Sequence, residues 1–322
     1  MKLIKYTNNR LVIVEGLTGL GKSTVAHFIA RQLQLNAVAA TWVHEGEVPH
    51  PVSIELDTDI KNFMLHALSR WDAFVNKIEV SGEVTVIEAG LFNNLFETLF
   101  MHNVSKHKIH QFSDDLQGII KPLQPALVYL AQSDVSEALE KNFNNRGAGF
   151  MDYVIKVSTN NPYAQNRGLQ GFQGMVVFWQ DFVTLTNECF DRFQFQKIAL
   201  DNSTGDWVRL KSRVTEFLSI PYIVERQVSD EEAARHIGTY TEEASGKEYV
   251  VQYRDHELTI NIFLEDWTRL IPITDCSFIA EGWHFEVCFE EDTFGKIESL
   301  RIDGQDIDYL SLAGTVAKKM SN

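Results

Sequence analysis

Cysteine is scarce in this chain, which has only Cys189, Cys276 and Cys288 among its 322 residues. They are too scattered to form a disulfide framework or the paired Cys-x-x-Cys motif of a zinc site. Long apolar runs are also missing, since none approaches the roughly 20 residues that a membrane-spanning helix needs. The N-terminal residues lack the apolar stretch of a secretory signal peptide. We therefore expect a reduced, cytoplasmic protein that does not act at a membrane.

Basic residues are few in the C-terminal part of the chain. Residues 225–322 carry 21 acidic against 9 basic side chains, a net of −12, whereas residues 1–224 carry 23 against 20, a net of −3. A surface this acidic repels the phosphate backbone, so we do not expect a nucleic-acid partner. The excess of acid is typical of a solvated surface that keeps a protein soluble.

Short apolar runs alternate with helical patterns over the first two thirds of the chain. The strand-like runs lie at residues 11–15, 37–43, 84–88, 126–131 and 195–200, and helical patterns separate them. This alternation predicts a five-stranded parallel sheet with helices on both faces, an α/β domain over residues 1–224. Asp59 precedes an apolar-periodic stretch and is predicted to cap a helix, and the neighbouring Asp57 is a carboxylate that could bind a metal.

The pattern changes near residue 237. Short strand-like runs then follow one another, separated by turn residues, which predicts a small antiparallel β-barrel or sandwich over residues 225–322. Residues 221–234 are charged and show no strong apolar face, so we interpret them as the connection between the two domains.

One motif in the chain is specific by itself. It follows a strand-like run and precedes a helical pattern, and it reads Gly16-Leu17-Thr18-Gly19-Leu20-Gly21-Lys22-Ser23, followed by Thr24. In a loop of this type, glycine lets backbone N–H groups turn toward phosphate oxygens, and the following helix directs its positive end at the same anion. Lys22 is expected to reach the terminal phosphates and Ser23 to bind Mg²⁺. The motif predicts a P-loop NTPase fold that binds ATP or GTP.

The stretch 14–24 resembles the phosphate loop of the thymidylate kinase and deoxynucleoside kinase group. The resemblance continues weakly, in order, over residues 10–220. It implies that Glu45 follows the second strand where that group has a Glu-Pro motif. It also implies that Glu88 stands where the group has an Asp-Arg or Glu-Arg pair. Two departures bear on the acceptor, because Gly46 replaces the proline and Ala89 replaces the arginine.

The positions of these residues in the predicted elements suggest roles for them. Glu88 is a candidate ligand of Mg²⁺, directly or through water, and Glu45 is a candidate base for an acceptor hydroxyl. Arg70 and Trp71 lie in the stretch that would contact the acceptor, although Arg70 could equally form a surface salt bridge. Arg146 could close over the γ-phosphate as part of a mobile lid, or simply be a charge at the end of a helix.

The C-terminal part resembles, softly, the lipocalin-like β module appended to some β-lactamase-related proteins. The similarity starts at Gly238-Thr239-Tyr240 and ends at a hairpin closing near residues 295–302. Such a module could bind a ligand in the barrel mouth, mediate a homodimer, or cover an edge of the kinase-like domain. The sequence leaves these three roles open.

These observations predict an ATP-dependent small-molecule kinase. It would transfer the γ-phosphoryl group to a nucleoside, a nucleotide or another hydroxyl acceptor, with Mg²⁺ as cofactor. Two alternatives remain: a nucleotide-binding regulatory or adaptor protein, with the β domain engaging a ligand or partner, and a plain NTPase. The Asn-Lys-x-Asp motif of guanine-specific switches is absent from the sequence, which disfavours a GTPase.

Overall fold

The protein is described here by a computed structural model that covers residues 8–55, 59–264 and 266–320. The chain forms two compact units. The first contains the residues up to Glu45 together with Pro49–Ile223, and the second contains Gly46–Val48 together with the residues from Val224 onward. The short excursion of Gly46–Val48 into the second unit is a feature that the sequence did not reveal.

The first unit is built on a five-stranded parallel sheet, which confirms the predicted P-loop NTPase fold. Along the sheet the strands follow the order β2-β3-β1-β4-β5. Their bounds are β1 Leu11–Gly16, β2 Ala40–Val43, β3 Val84–Glu88, β4 Ala126–Ala131 and β5 Gln196–Asp201. Strand β1 is central and completely buried, because Val12 pairs with Val86 of β3 on one side and with Ala126 of β4 on the other. Its unbroken apolar sequence is what such a position requires.

Nine helices of this unit lie within the described residues. They are α1 Lys22–Leu35, α2 Ile60–Ser81, α3 Glu97–Met101, α4 Lys106–Ile120, α5 Val135–Arg146, α6 Ala148–Thr159, α7 Pro162–Gln165, α8 Gly171–Arg192 and α9 Trp207–Leu218. A π-helix, Phe92–Phe96, precedes α3, and a short 3₁₀ helix, Lys121–Leu123, follows α4. Asp59 caps α2 as predicted, accepting hydrogen bonds from the amides of Lys61 and Asn62 at 3.3 Å. Asp57 lies outside the described residues.

The strands all point the same way, so their carboxyl ends meet at one edge of the sheet. Gly16 ends β1 and Glu88 ends β3, while Glu45 lies two residues beyond the end of β2. Ligands of open α/β sheets bind at this edge. The fold therefore brings together residues that are more than 70 positions apart in sequence.

The second unit is a closed antiparallel barrel, which settles the predicted choice between a barrel and a sandwich. Each of its eight strands pairs with its neighbours in sequence, and the last strand pairs with the first. The strands are β6 Gly238–Glu242, β7 Glu248–Arg254, β8 Glu257–Phe263, β9 Asp266–Pro272, β10 Ser277–Ala280, β11 Phe285–Glu291, β12 Ile297–Gly304 and β13 Thr315–Lys319.

Alternate residues of the barrel strands pack into its interior. In β8, for example, Leu258, Ile260 and Ile262 are buried while the residues between them are half-buried. Strand β13 shows no apolar alternation in the sequence, because only Ala317 of its five residues is buried. Tyr240 and Phe278 are among the largest completely buried side chains.

A seven-residue helix, α10 Asp230–His236, lies in the stretch that was predicted to be a simple connection. Ala233 belongs to the apolar core of the barrel, and the ring of His236 contacts the rings of Phe278 and Phe289. The hydroxyl of Tyr240 donates to the carbonyl of His236 at 2.7 Å. Two buried positions in seven residues are too few to give a helical periodicity that can be recognised in sequence.

Gly46, which replaces the proline of the kinase group, has a packing reason in this unit. A Cβ atom on Gly46 would lie 2.8 Å from the Cε1 atom of Tyr309 and 3.3 Å from Ile307. The carbonyl of Gly46 accepts a hydrogen bond from the amide of Asp308 at 2.8 Å, and Glu47 forms a β-bridge with Ile307. A side chain at this position would therefore require the ring of Tyr309 or the backbone to shift.

Within the three described stretches of the chain, no helix combines the length and the apolar character needed to cross a membrane.

Candidate active site

The phosphate loop connects β1 to α1. Gly21 is the N-cap of α1, and a glycine has no side chain with which to cap the helix start. The first N–H groups of a helix have no partner within the helix, and here they are left without a side-chain cap. Thr18, Gly19, Ser23 and Thr24 keep part of their surface exposed, whereas Gly16 and Leu20 are buried. The loop thus has the geometry of an anion-binding turn.

Two glycines of the loop allow side chains from later elements to lie directly against it. Gly19 and Gly21 have left-handed backbone conformations, with φ of 86° and 89°. A Cβ on Gly19 would collide with the side chain of Asn142 from α5, and one on Gly21 would collide with the indole of Trp207 from α9. Glycine is required at both positions by conformation and by space. The contacts of Asn142 and Trp207 with this loop could not be predicted from the sequence.

Lys22 and Glu45 form an ion pair. The Nζ atom of Lys22 lies 3.7 Å from Oε2 of Glu45, and the lysine side chain is only 5 % exposed. Burial alone would raise the pKa of Glu45, but the charges of Lys22, His44 and Arg146 outweigh it and hold the pKa below its usual range. Glu45 is therefore ionised at neutral pH.

Glu88 is completely buried beside the phosphate loop. Its Oε1 atom accepts a hydrogen bond from the amide of Glu45 at 3.1 Å and lies 3.5 Å from Nε2 of His44, while the Ser23 hydroxyl also bonds to its carboxyl group. Burial and the charge of Glu45 raise the pKa of Glu88 to about 8, although Lys22 and these hydrogen bonds act in the opposite direction. The two predicted Mg²⁺ ligands, Ser23 and Glu88, are thus in contact.

The residues around Glu88 fit a magnesium ion. Its Oε2 atom is buried and has no hydrogen-bond partner in the described part of the chain. A carboxylate oxygen and a hydroxyl are oxygen donors of the kind that Mg²⁺ prefers, with waters and nucleotide phosphates completing its shell. Three or more His, Cys, Asp or Glu side chains able to hold a metal do not occur together among the residues described.

Glu15, the last residue before Gly16, is a buried carboxylate that the sequence analysis did not single out. Its Oε1 atom accepts hydrogen bonds from the amides of Leu91 and Phe92, at 2.6 and 3.0 Å. These bonds satisfy the start of the π-helix that leads into α3. Burial raises the pKa of Glu15 to about 7 despite those bonds and the charge of Lys22. Its position at the end of a buried strand is the sequence feature that could have identified Glu15 as a candidate site residue.

Glu97 is a second carboxylate that was missed. It begins α3, directly after the π-helix, a type of helix that often occurs at functional sites. Its side chain is half-buried, and the charges of Lys22, Glu45 and Glu15 act on it. Burial is the main reason that the pKa of Glu97 rises to about 8. It is the only charged residue between Glu88 and His102. A single charged residue in an apolar segment is the sequence feature that could have identified Glu97 as a candidate site residue.

His50 lies in the segment that follows β2 and is 9 % exposed. Its Nδ1 atom accepts hydrogen bonds from the amides of Val52 and Ser53, at 3.3 and 2.8 Å. Burial lowers the pKa of His50 to about 4, although the charge of Glu45 acts in the other direction. The ring is therefore neutral and carries its proton on Nε2.

The remaining predicted site residues fall into two groups. Arg146 ends α5, close enough for its charge to stabilise the Glu45 carboxylate, and its guanidinium lies 5.0 Å from the ring centre of Phe150. Trp71 is completely buried against Phe74, and Arg70 beside it on α2 is exposed. The structure thus brings Arg146 to the carboxylates, while the role of Arg70 and Trp71 at an acceptor stays a prediction.

Ala89, which replaces the arginine of the kinase group, is 2 % exposed. Its backbone is in the left-handed region, with φ of 52°, and its amide donates to the carbonyl of Val14 at 3.0 Å. The side chain of an arginine at this position would have to extend from a buried Cβ atom.

The stretch after β5 is hydrogen-bonded to the phosphate loop. The Nδ2 atom of Asn202 donates to the carbonyl of Leu20 at 3.2 Å. A cavity of about 250 Å³ opens beside it, lined by polar side chains that include Ser203, Thr204, Arg209 and Arg213.

Two solved structures show weak similarity to this chain. An unliganded sugar kinase from Janibacter sp. HTCC2649 is 14 % identical, with a TM-score of 0.35, over 66 % of this chain and 95 % of that chain. Shikimate kinase from Acinetobacter baumannii in complex with shikimate is 13 % identical, with a TM-score of 0.34, over 66 % and 95 %. No protein-family model and no curated protein matches the chain. At such values the neighbours carry no argument about activity, which has to be argued from the site.

Proposed function

We propose that this protein is a kinase that transfers the γ-phosphoryl group of ATP to a hydroxyl group of a small molecule. The proposal depends on one observation: Glu45 is paired with Lys22 and hydrogen-bonded through its amide to Glu88, at the end of a complete phosphate loop. Phosphoryl transfer needs mainly positioning and neutralisation of charge, and these residues supply both.

Each of these residues has its own task in the proposed reaction. The loop amides and Lys22 hold the β- and γ-phosphates, and Ser23 and Glu88 hold Mg²⁺ on the nucleotide. The bound Mg²⁺ would neutralise charge on the phosphate oxygens. Arg146, at the end of α5, adds positive charge on the side of Glu45.

Glu45 is the proposed base. It is about one third exposed, so it can be reached from solvent while its pKa stays below the usual range. As the acceptor oxygen bonds to the γ-phosphorus, the bond from that phosphorus to the bridging oxygen breaks, and Glu45 takes the hydroxyl proton. The family resemblance favours a nucleoside as the acceptor. A sugar or another polyol is the alternative.

The test is ATP turnover against a panel of nucleosides, nucleoside monophosphates, sugars and hydroxylated antibiotics. Acceptor-dependent formation of ADP is expected, and it should disappear in Lys22→Ala and in Glu88→Gln. Glu140→Gln, an exposed acid on α5, is the matched control and should behave as the wild type.

Two outcomes would contradict the proposal. ATP hydrolysis that no acceptor accelerates would indicate a plain NTPase. Lys22-dependent binding of ATP without any turnover would favour a nucleotide-sensing protein.

A further inference from the structure

Helix α5 places an asparagine directly against the phosphate loop. One stripe of this helix is buried, and it consists of Val135, Ala138, Leu139, Asn142 and Phe143. Asn142 is the only polar residue among them and is 5 % exposed. Its Cγ, Oδ1 and Nδ2 atoms lie 2.4, 2.6 and 2.8 Å from the position that a Cβ on Gly19 would take, so the side-chain amide packs against the backbone of the loop.

The Nδ2 atom of Asn142 is a hydrogen-bond donor without an acceptor. It is buried and has no hydrogen-bond partner within the described ranges of the chain. An N–H group that is removed from water in this way destabilises the folded protein unless an acceptor binds to it. Asparagine is also a poorer helix former than leucine or alanine, which suit a buried position in a helix. The unpartnered donor therefore indicates that a bound molecule supplies the acceptor.

A second asparagine beside the loop differs in this respect. The Nδ2 atom of Asn202 donates to the carbonyl of Leu20 at 3.2 Å, so its donor is already used to hold the loop. Asn142 contacts the preceding residue, Gly19, but among the residues described no carbonyl accepts from its Nδ2 atom. Holding the loop through this donor is therefore not its role.

The chemistry of the loop identifies the missing acceptor. The free N–H groups at the start of α1 attract an anion, and Lys22 adds a positive charge beside them. The phosphate oxygens of a nucleotide accept hydrogen bonds, so they match the N–H group of an amide. A hydrogen bond to a charged oxygen is also stronger than one between two neutral groups.

We propose that the side-chain amide of Asn142 donates to a phosphate oxygen of the bound nucleotide, in addition to the loop amides and Lys22. This inference rests on the nucleotide site of the proposed kinase, but it does not depend on transfer to an acceptor. It makes α5, the helix that ends at Arg146, a part of the nucleotide site.

The first experiment is a calorimetric titration of the full chain with two magnesium complexes, one of the non-hydrolysable β,γ-imido analogue of ATP and one of tripolyphosphate. Asn142→Ala should weaken the binding of both about tenfold, because one hydrogen bond to a charged oxygen is lost. Asn142→Asp should weaken both about 100-fold, because a carboxylate that repels phosphate replaces the donor. Asn144→Asp is the matched control, since it adds the same charge at an exposed position of α5 and should bind both ligands like the wild type.

The second experiment measures thermal unfolding without nucleotide. Because the Nδ2 atom has no acceptor to lose, Asn142→Ala should leave the unfolding midpoint within about 2 °C of that of the wild type, or raise it. A lower midpoint together with weaker binding would overturn the inference, because it would show that Asn142 supports the fold of the loop.

The binding data also separate this inference from the proposed kinase activity. Normal affinity in both Asn142 variants, with binding lost in Lys22→Ala, would overturn the inference and leave the kinase standing. Weaker binding of the ATP analogue alone would also overturn it, because the contact would then be with the ribose or the base. The expected losses of affinity without any acceptor-dependent turnover would support the inference and remove the kinase. A wild type that binds neither ligand would overturn both.

Discussion

The ammonium of Lys22 lies 3.7 Å from the carboxylate of Glu45, so the residue expected to hold the nucleotide is paired with the residue expected to receive the proton. A phosphate entering the loop competes with Glu45 for Lys22. Nucleotide binding would thereby release Glu45 toward the acceptor.

This pairing makes the effects of Glu45→Gln on binding and on turnover diverge. The affinity for ATP should be unchanged or higher, because Lys22 loses a competing partner, whereas kcat should fall about 10²- to 10⁴-fold with the loss of the base. Calorimetric titration gives the affinity and steady-state kinetics the rate, with Glu140→Gln as control. A variant with normal kcat would exclude Glu45 as the base.

Trp207 should report nucleotide binding directly. Its indole packs against Gly21 of the phosphate loop. Addition of ATP is expected to change the intrinsic tryptophan fluorescence, and the change should be lost in Trp207→Phe. Trp267→Phe is the matched control, since Trp267 is a 44 % exposed residue of the barrel. If the response survives in Trp207→Phe, the contact with the loop is not the source of the signal.

Ala89→Gly should stabilise the first unit. The left-handed backbone of Ala89 costs about 1–2 kcal/mol for a residue with a Cβ, and glycine removes most of that cost. The expected gain in the free energy of unfolding is about 1 kcal/mol after the extra chain entropy of glycine is included. This gain is measured by denaturant unfolding, with hydrogen exchange in peptides of β1 and β3 as the readout. Ala138→Gly, in helix α5, should instead destabilise the same unit, and a loss in both variants would argue against strain at Ala89.

The barrel should lose stability in mild acid through His236. Burial lowers the pKa of this completely buried ring to about 4 from an ordinary 6.5. Between those values the unfolded chain binds a proton that the folded chain does not, so stability falls as the pH falls through this range. The loss amounts to about 1.4 kcal/mol per pH unit.

Hydrogen exchange in barrel peptides at about pH 7 and about pH 5 would measure this loss. His236→Leu removes the titrating ring and should flatten the difference between the two pH values. An equal acid sensitivity in the variant would assign the effect to other groups.

Gly46→Ala should destabilise the second unit by about 1–3 kcal/mol, because a methyl group has no room beside Tyr309 and Ile307. Tyr309→Ala in the same chain should restore part of the loss. Gly118→Ala is the control, since a Cβ on this α4 residue meets nothing within 4 Å and should slightly stabilise its helix. Additive effects of Gly46→Ala and Tyr309→Ala would rule out the proposed clash.

The sequence predicted those parts of the molecule that depend on local pattern. Unbroken apolar runs identified β1, β3 and β4, and the glycine spacing identified the loop around Lys22. Glu45 and Glu88 could be placed because each follows a strand whose carboxyl end must lie at the same edge. The barrel could be predicted as a class but not strand by strand, since strands such as β13 bury too few side chains.

The rest of the site depends on tertiary contacts. Nothing in the sequence near His50 indicates that its ring would be buried with one nitrogen occupied by Val52 and Ser53. Glu97 directly follows a π-helix whose start is satisfied by a carboxylate from β1. Such arrangements follow from tertiary packing and produce no periodic pattern in the sequence.

The closure of the barrel limits how copies of this chain could associate. Every described barrel strand has a hydrogen-bonded neighbour on both sides, so none offers an open edge to a strand from another molecule. A homodimer formed through this unit would have to rely on side-chain complementarity between two acidic surfaces, which salt would assist by screening. The described parallel sheet, by contrast, ends in two edge strands, β2 and β5, each paired with another strand of the sheet on one side only.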